Sequence, residues 1–202
     1  MTDKKRQMVD TYNKSAREMT WKFDDIGARV EDVGRLFGML GKENPFILEI
    51  GCGSGRDAEE ILKRTDRYLG IDISETFVSI ARERVPRGRF EVADVEAYDF
   101  PQGIDVIVSF ASLLHSDKQS VAAVLAKAHD ALVPGGIFYI SLKEGDYADE
   151  GVTRTDDFGT RTYFYYRPEA IQELAGPRYK TEYLDRQNLR EQYWFTIALR
   201  KI

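Results

Sequence analysis

The sequence is poor in the residues that build disulfides and metal sites. Its 202 residues include one cysteine, Cys52, and two histidines, His115 and His129. A single cysteine excludes an intramolecular disulfide and is typical of a reducing compartment. These three residues also fall short of the ligand set of a closed structural zinc site, so we predict no metal.

Basic charge and long apolar runs are scarce as well. The chain has 29 basic and 34 acidic residues, which gives a net charge of -5 and an isoelectric point near 5.2. An acidic surface disfavours nucleic acid and anionic membranes as partners, because both attract a basic face. No run approaches the roughly 18 apolar residues of a membrane span, and the polar start of the chain is unlike a signal peptide. We therefore expect a cytoplasmic protein. We expect it to be either a monomer or a homodimer.

From residue 45 onward, apolar runs of strand length alternate with segments of helical period. The strands are predicted at 45–51, 68–73, 89–93, 104–110 and 137–142. Helices are predicted over about 56–66, over 74–85, and from a capping box of Ser116 and Gln119 through Leu132. This alternation predicts βαβ units and therefore a doubly wound α/β fold, with a mostly parallel sheet and helices on both faces.

We predict one domain over residues 1–202, with a core at 45–143. Residues 1–44 are charged and helix-prone, which predicts a helical cap whose second helix ends at Gly41. Residues 145–166 are rich in Asp, Gly and Tyr and predict a loop or hairpin over the sheet edge, on the substrate side. The acidic residues of this insertion fit a solvated loop better than a site for a hard cation.

The last segment, 167–202, combines one helix with two strand-like runs. Pro168 suits the first turn of the helix, because proline lacks the N–H that this turn leaves unpaired. The runs at about 179–189 and 192–200 are separated by only a few residues. This short separation predicts an antiparallel hairpin.

The most informative motif is the glycine-rich segment Glu49-Ile-Gly-Cys-Gly-Ser-Gly55, between a predicted strand and a predicted helix. Its glycines allow the backbone to turn sharply and approach a ligand, and the helix N-terminus offers N–H groups to an anion. The pattern is typical of a nucleotide-like ligand in a doubly wound sheet, and a tight turn without ligand is the alternative. A dinucleotide fingerprint needs glycine where this chain has Arg56, which disfavours a nicotinamide-dependent oxidoreductase.

Two acidic residues end the next two predicted strands. Asp72 is placed to accept hydrogen bonds from ribose hydroxyls, or alternatively to act as an N-cap-like residue before the helix at Ser74. Asp94 is placed to accept from an adenine amino group while the N–H of Val95 meets a ring nitrogen; a turn residue is the alternative. Together with the glycine loop, these residues predict an adenosine-containing ligand.

Five ordered motifs resemble those of the class I S-adenosylmethionine-dependent methyltransferases. They cover residues 45–143 and are Glu49–Gly55, Gly70–Ser74, Val92–Val95, Asp105–Phe110 and Leu132–Phe138. The resemblance implies S-adenosyl-L-methionine as cofactor and a reversed seventh strand between the fifth and sixth. It also implies that Glu49 and the glycines surround the methionine part, Asp72 holds the ribose, Asp94 and Val95 frame the adenine, and Phe110 lies near the methyl donor.

Tyr12, in Tyr12-Asn-Lys-Ser-Ala16, resembles an N-terminal Tyr-x-x-x-Ala signature of small-molecule members of that family. There the first helix closes over the cofactor; a tyrosine that packs an amphipathic helix onto the sheet is the alternative. The complete set of predicted cofactor-binding residues is Tyr12, Glu49, Gly51, Cys52, Gly53, Gly55, Asp57, Asp72, Ile73, Asp94, Val95 and Phe110.

The acceptor side carries a weaker signal, because methyl transfer depends mainly on alignment and needs a base only for a protonated acceptor. His115 is the predicted base or acceptor contact, and a packed histidine is the alternative. Ser112 and Lys143 follow the fourth and fifth strands, while Tyr163 and Tyr165 belong to an aromatic segment suited to a pocket wall. A solvated lysine and an ordinary edge strand are the alternatives.

The chain lacks the Asn/Asp-Pro-Pro-Tyr/Phe motif of enzymes that methylate the amines of nucleobases and has Phe110-Ala-Ser-Leu-Leu instead. We therefore predict methyl transfer to an oxygen, nitrogen or sulfur atom of a small molecule. The alternatives are a protein-directed methyltransferase, a module that binds S-adenosylmethionine or its product without turnover, and the disfavoured oxidoreductase.

Overall fold

A computed structural model describes residues 2–189 and 191–202. Its strands are β1 (Ile47–Ile50), β2 (Tyr68–Asp72), β3 (Arg89–Val92), β4 (Ile104–Phe110), β5 (Leu132–Lys143), β6 (Val152–Asp156), β7 (Gly159–Tyr163), β8 (Tyr179–Leu189) and β9 (Gln192–Lys201). Seven of them form one sheet in the order β3-β2-β1-β4-β5-β9-β8, in which β1 to β5 are parallel and β9 is antiparallel to both of its neighbours. The predicted doubly wound fold is confirmed, as is the reversed last strand.

The helices are α1 (Asp3–Ile26), α2 (Val30–Leu40), α3 (Arg56–Ile61), α4 (Glu75–Arg84), α5 (Lys118–Ala131) and α6 (Pro168–Ala175). Local signals set several of their ends, since α2 stops at Gly41 with φ 56° and the Ser74 hydroxyl accepts from the N–H of Phe77. The predicted capping box at Ser116 is wrong. Asp117 caps α5 instead, because its carboxylate accepts from the N–H of Ser120 at 2.8 Å. No helix of the described residues is long and apolar enough to cross a membrane.

Both faces of the sheet are covered, so the central strands β1 and β4 are buried along their whole length. All seven residues of β4 are buried. Alternate side chains of β4 point to opposite faces: Ile107 packs in the layer that contains Val124 of α5, whereas Val106 packs in the layer that contains Leu36 of α2. Full burial of one such side chain contributes about 1.5–3 kcal/mol, so this core holds the carboxyl ends of the strands in fixed positions.

The β6–β7 hairpin forms where residues 145–166 predicted a loop or hairpin, and it does not extend the main sheet. Beside β5 the sheet continues with β9, so no free edge remains there. The hairpin instead packs on α1, where the Ser15 hydroxyl donates to the Phe158 carbonyl at 2.6 Å and the Thr11 hydroxyl donates to the Thr160 carbonyl at 3.2 Å. Together, α1 and the hairpin cover the turn that follows β4.

Candidate active site

A cavity of about 840 Å³ lies at the carboxyl ends of the parallel strands. Its volume falls in the range of about 300–1,000 Å³ typical of small-molecule sites. The loops after β1 to β4, the end of β5, helix α1 and the β8–β9 hairpin all contribute to its wall. Thirteen predicted site residues line it: Tyr12, Gly51, Cys52, Gly53, Asp57, Asp72, Ile73, Asp94, Val95, Phe110, Ser112, His115 and Lys143.

The glycine loop owes its shape to two different requirements. Gly51 has φ +74°, and a Cβ atom at this position would lie 2.2 Å from Oγ of Ser112, which belongs to the turn after β4. Gly53 also has a positive φ, +52°, but a Cβ there would meet no atom within 4 Å. The loop therefore needs glycine at position 51 for space as well as for backbone conformation.

Asp72 connects this loop to α4. Its Oδ2 accepts from the N–H of Gly53 at 2.9 Å, and its Oδ1 accepts from the N–H of Ser74 at 2.8 Å. Burial raises the pKa of Asp72, whereas these backbone donors oppose the shift. The carboxylate thus lines the cavity and also precedes α4. This position is compatible with both predicted roles, a contact with ribose hydroxyls and an N-cap-like residue.

Helix α1 is attached to the loop after β3 by Lys5, which the sequence analysis did not single out. The Lys5 ammonium lies 2.7 Å from Oδ1 of Asp94 and 3.0 Å from Oε2 of Glu96. All three residues line the cavity. A pair separated by 89 residues leaves no local pattern, so only the folded chain reveals it.

His115 is held in one tautomer by its two neighbours. Its Nδ1 lies 2.6 Å from the carbonyl of Thr162, which only accepts, so Nδ1 carries the proton. In the neutral ring Nε2 is then an acceptor, and the hydroxyl of Tyr12 donates to it at 2.6 Å. Burial lowers the pKa of His115 to about 4, which keeps the ring neutral at pH 7. Tyr12 occupies the lone pair that a base would use, so this geometry favours the alternative of a packed histidine, and the base role stays a prediction.

Lys143 enters the cavity between two aromatic rings. Its Nζ lies 4.2 Å from the ring centre of Tyr163 and 5.7 Å from that of Trp194, and the ring of Tyr163 also packs on His115. Burial lowers the pKa of this half-buried ammonium. Trp194 and Arg29 also line the cavity, although no sequence signal pointed to either.

Residues 47–136 match the methyltransferase domain family. This segment is a methyltransferase domain. The match begins at β1 and ends within β5, so it includes the glycine loop and the carboxyl ends of β1 to β4, which contribute to the cavity wall.

Two curated relatives and one solved structure resemble this methyltransferase domain and its flanking segments. A trans-aconitate 2-methyltransferase from Variovorax paradoxus is 32% identical over 48% of this chain and 38% of that protein. A malonyl-[acyl-carrier protein] O-methyltransferase from Serratia marcescens is 29% identical over 65% of this chain and 54% of that protein. The chain thus spans about half or less of their lengths. The crystal structure of the Burkholderia thailandensis 1,6-didemethyltoxoflavin-N1-methyltransferase, with its substrate and S-adenosylhomocysteine bound, has a TM-score of 0.78. It is 20% identical and covers 100% of this chain and 91% of its own, which shows a shared fold.

Four predicted site residues of the methyltransferase domain and its hairpin lie outside the cavity wall. Glu49 is buried and its carboxyl accepts from the Tyr68 hydroxyl, with burial raising its pKa to about 8. Gly55 starts α3 and packs against Ala81, which lies 3.2 Å from where a Cβ would be. Tyr163 supports Lys143 from behind, and Tyr165 is buried against Gly145. None of these four residues lines the cavity, and their predicted contact with a ligand stays a prediction.

Across residues 2–189 and 191–202, no group of three or more His, Cys, Asp and Glu side chains is placed to hold a metal ion. Acidic residues of the insertion form ion pairs with basic side chains, such as Asp146 with Arg167 at 2.6 Å and Glu150 with Lys4 at 3.0 Å.

Proposed function

We propose that this chain transfers a methyl group from S-adenosylmethionine to a small-molecule acceptor. One observation carries the proposal: a single cavity of about 840 Å³ has the glycine loop and Asp72 in one part of its wall and Phe110 and Lys143 in another. Such a cavity accommodates a nucleoside-sized ligand together with a small partner. The names of the two curated relatives, which specify trans-aconitate and malonyl-[acyl-carrier protein], support a methyltransferase whose acceptor group is small.

The residues present fit the methyl donor. Gly51 and Gly53 leave the loop free of side chains where the methionine part would approach, and Asp72 supplies carboxylate oxygens for the ribose hydroxyls. Asp94 and the N–H of Val95 would hold the adenine. When bound, S-adenosylmethionine supplies an electrophilic methyl group on a positively charged sulfur.

The chain's own contribution is alignment and exclusion of water rather than proton transfer. Two carboxylates of the cavity wall are already engaged, since Asp57 pairs with Arg56 at 2.7 Å and Asp94 pairs with Lys5 at 2.7 Å. Nε2 of His115 is engaged by Tyr12. Since alignment of reactants lowers a displacement barrier substantially, a cavity that aligns donor and acceptor is sufficient for an acceptor that arrives as a nucleophile.

Calorimetric titration with S-adenosylhomocysteine tests the cofactor. We expect binding to the wild-type protein, no heat with NADH, and affinity reduced about tenfold to one-hundredfold in Asp72→Ala, the loss of hydrogen bonds to a charged group. The exposed Asp149→Ala is the matched control and should bind like the wild type. If neither S-adenosylhomocysteine nor S-adenosylmethionine binds, the proposal is wrong.

Turnover separates an enzyme from a binding module. Incubation with methyl-labelled S-adenosylmethionine and a mixture of small acids, amines, phenols and thiols should label at least one acceptor. Binding without any label across the mixture would favour the module.

We further propose a cytoplasmic location, which the free, buried thiol of Cys52 supports. We also propose that the protein is either a monomer or a homodimer, which sedimentation would decide.

A further inference from the structure

We propose that the acceptor carries a carboxylate, which Lys143 binds inside the cavity beside Trp194. The inference rests on the proposed methyltransferase function and names its class of substrate. Lys143 ends β5, the strand next to β4, and both Phe110 at the end of β4 and Lys143 line the same cavity. An anion held by Lys143 would therefore lie on the acceptor side of that cavity.

Lys143 differs from the other basic residues that line the cavity, because in the described part of the chain they pair with carboxylates and it does not. Each of the others has a carboxylate oxygen within 3.3 Å: Lys5 pairs with Asp94, Arg56 with Asp57, and Arg29 with Asp32. Among the described residues Lys143 has no ion-pair partner, and its ammonium rests on the rings of Tyr163 and Trp194. Aromatic faces stabilise a cation without neutralising it, so its charge stays available to a ligand.

The surroundings of Lys143 increase the need for an anion. Arg154 and Arg161 add positive potential at its ammonium. The acidic residue that opposes them, Asp156, is itself bound by Arg161. A half-buried cation among like charges is costly to leave unpaired, and a ligand carboxylate would offset that cost.

The protonation states around the cavity favour the same class of acceptor. Since His115 is neutral and its Nε2 accepts from Tyr12, His115 does not offer a free base to a protonated acceptor. A carboxylic acid has a pKa of about 4 and arrives ionised at neutral pH. Its oxygen forms the new C–O bond while the C–S bond of the donor breaks, the electron pair stays on sulfur, and no proton moves. The products are a methyl ester and S-adenosylhomocysteine.

Fluorescence of Trp194 tests the charge of the site without a known substrate. The chain has two tryptophans, and Trp21 is 71% exposed, so Trp21→Phe leaves Trp194 as the only reporter. In that background we expect Lys143→Gln to reduce quenching by iodide at least twofold and to leave quenching by neutral acrylamide unchanged. Lys143→Arg should preserve iodide quenching. Lys118→Gln is the matched control, because Lys118 lies 4.2 Å over the ring of Tyr147 but outside the cavity wall.

Competition then tests the carboxylate itself. With S-adenosylhomocysteine present, we expect succinate or citrate to protect Trp194 from iodide, whereas succinamide does not. The protection should weaken about tenfold to one-hundredfold in Lys143→Gln, as for loss of a charge-assisted hydrogen bond. In the transfer assay, labelled carboxylate products should release volatile methanol in mild base, as methyl esters do.

Two results would overturn the inference. One is iodide quenching that is the same in Lys143→Gln and the wild type. The other is the absence of protection by acetate, succinate and citrate alike in protein that binds S-adenosylhomocysteine. Failure to bind S-adenosylhomocysteine at all would instead overturn the proposed function, so the two failures are distinguishable.

Discussion

The hydroxyl of Tyr12 donates a hydrogen bond to Nε2 of His115 across 2.6 Å, and this bond joins α1 to the turn after β4. On its other side, His115 donates from Nδ1 to the Thr162 carbonyl of β7. One imidazole ring thus connects helix, turn and hairpin over the cavity. The ring acts as a structural junction, and its two bonds specify both its tautomer and the position of the Tyr12 ring.

Replacing Tyr12 by Phe removes the donor and leaves Nε2 of His115 without its partner. An unsatisfied buried acceptor costs about 1–3 kcal/mol, and α1 should dock less firmly over the cavity. We expect a lower melting temperature and weaker binding of S-adenosylhomocysteine, measured by calorimetry. Tyr193→Phe is the control, because Tyr193 is 58% exposed and should change neither quantity. Unchanged affinity and stability in Tyr12→Phe would show that the junction is unimportant.

The pH dependence of stability should report the neutral state of His115. Its folded pKa of about 4 lies below the ordinary 6.5, so between these values the unfolded chain binds more protons than the folded one. The contribution of neutral His115 to the free energy of unfolding is therefore complete above pH 6.5. It falls toward pH 4 by up to about 1.4 kcal/mol per pH unit. Urea unfolding of His115→Asn should show a shallower slope in this window, and a slope equal to that of the wild type would contradict the neutral state of His115.

Glu49 should act in the opposite direction, because burial raises its folded pKa to about 8 from 4.5. The folded state then holds the extra proton, and its stabilising effect is lost as pH rises from 4.5 to 8. Glu49→Gln keeps an acceptor for the Tyr68 hydroxyl without this titration. As pH rises from 4.5 to 8, the free energy of unfolding of Glu49→Gln should increase relative to that of the wild type by up to about 1.4 kcal/mol per pH unit. The exposed Glu43→Gln serves as control, and a constant difference between Glu49→Gln and wild type would contradict the assignment.

Much of the fold and the cofactor side of the cavity could be predicted, because their signals are local in the chain. Asp72 and Asp94 end predicted strands, and the carboxyl ends of parallel strands meet at one edge of a sheet. The positive φ at Gly51 likewise follows from the motif. Glu49 belongs to the same motif, but its carboxyl lies away from the cavity on Tyr68, which the spacing of the motif does not show.

The remaining features depend on contacts between distant segments. Lys5 reaches Asp94 across 89 residues, and Trp194 joins the cavity only because β9 pairs with β5, where it faces Lys143 in the register. The state of His115 is set by Thr162, 47 residues away. Since each of these depends on tertiary packing, neither periodicity nor motif spacing predicts them.

The two glycines of the loop should respond differently to alanine. Both have positive φ, for which an L side chain costs about 1–2 kcal/mol. At Gly51 the new Cβ also meets Ser112, with Oγ at 2.2 Å and Cβ at 2.3 Å, and such overpacking adds about 1–3 kcal/mol. In urea unfolding, the free energy of unfolding of Gly53→Ala should therefore fall only by the cost of the backbone conformation. That of Gly51→Ala should fall clearly more.

The clash at Gly51 involves mainly the Ser112 side chain, so its removal should restore part of the lost stability. Oγ and Cβ of Ser112 are the close atoms, whereas its Cα lies 3.6 Å away, an ordinary contact distance. Measured against Ser112→Gly alone, Gly51→Ala should then lose about 1–2 kcal/mol, like Gly53→Ala in the wild type. An equal loss for Gly51→Ala with and without the Ser112 side chain would mean that the backbone conformation alone requires glycine, and that the turn after β4 does not constrain the loop.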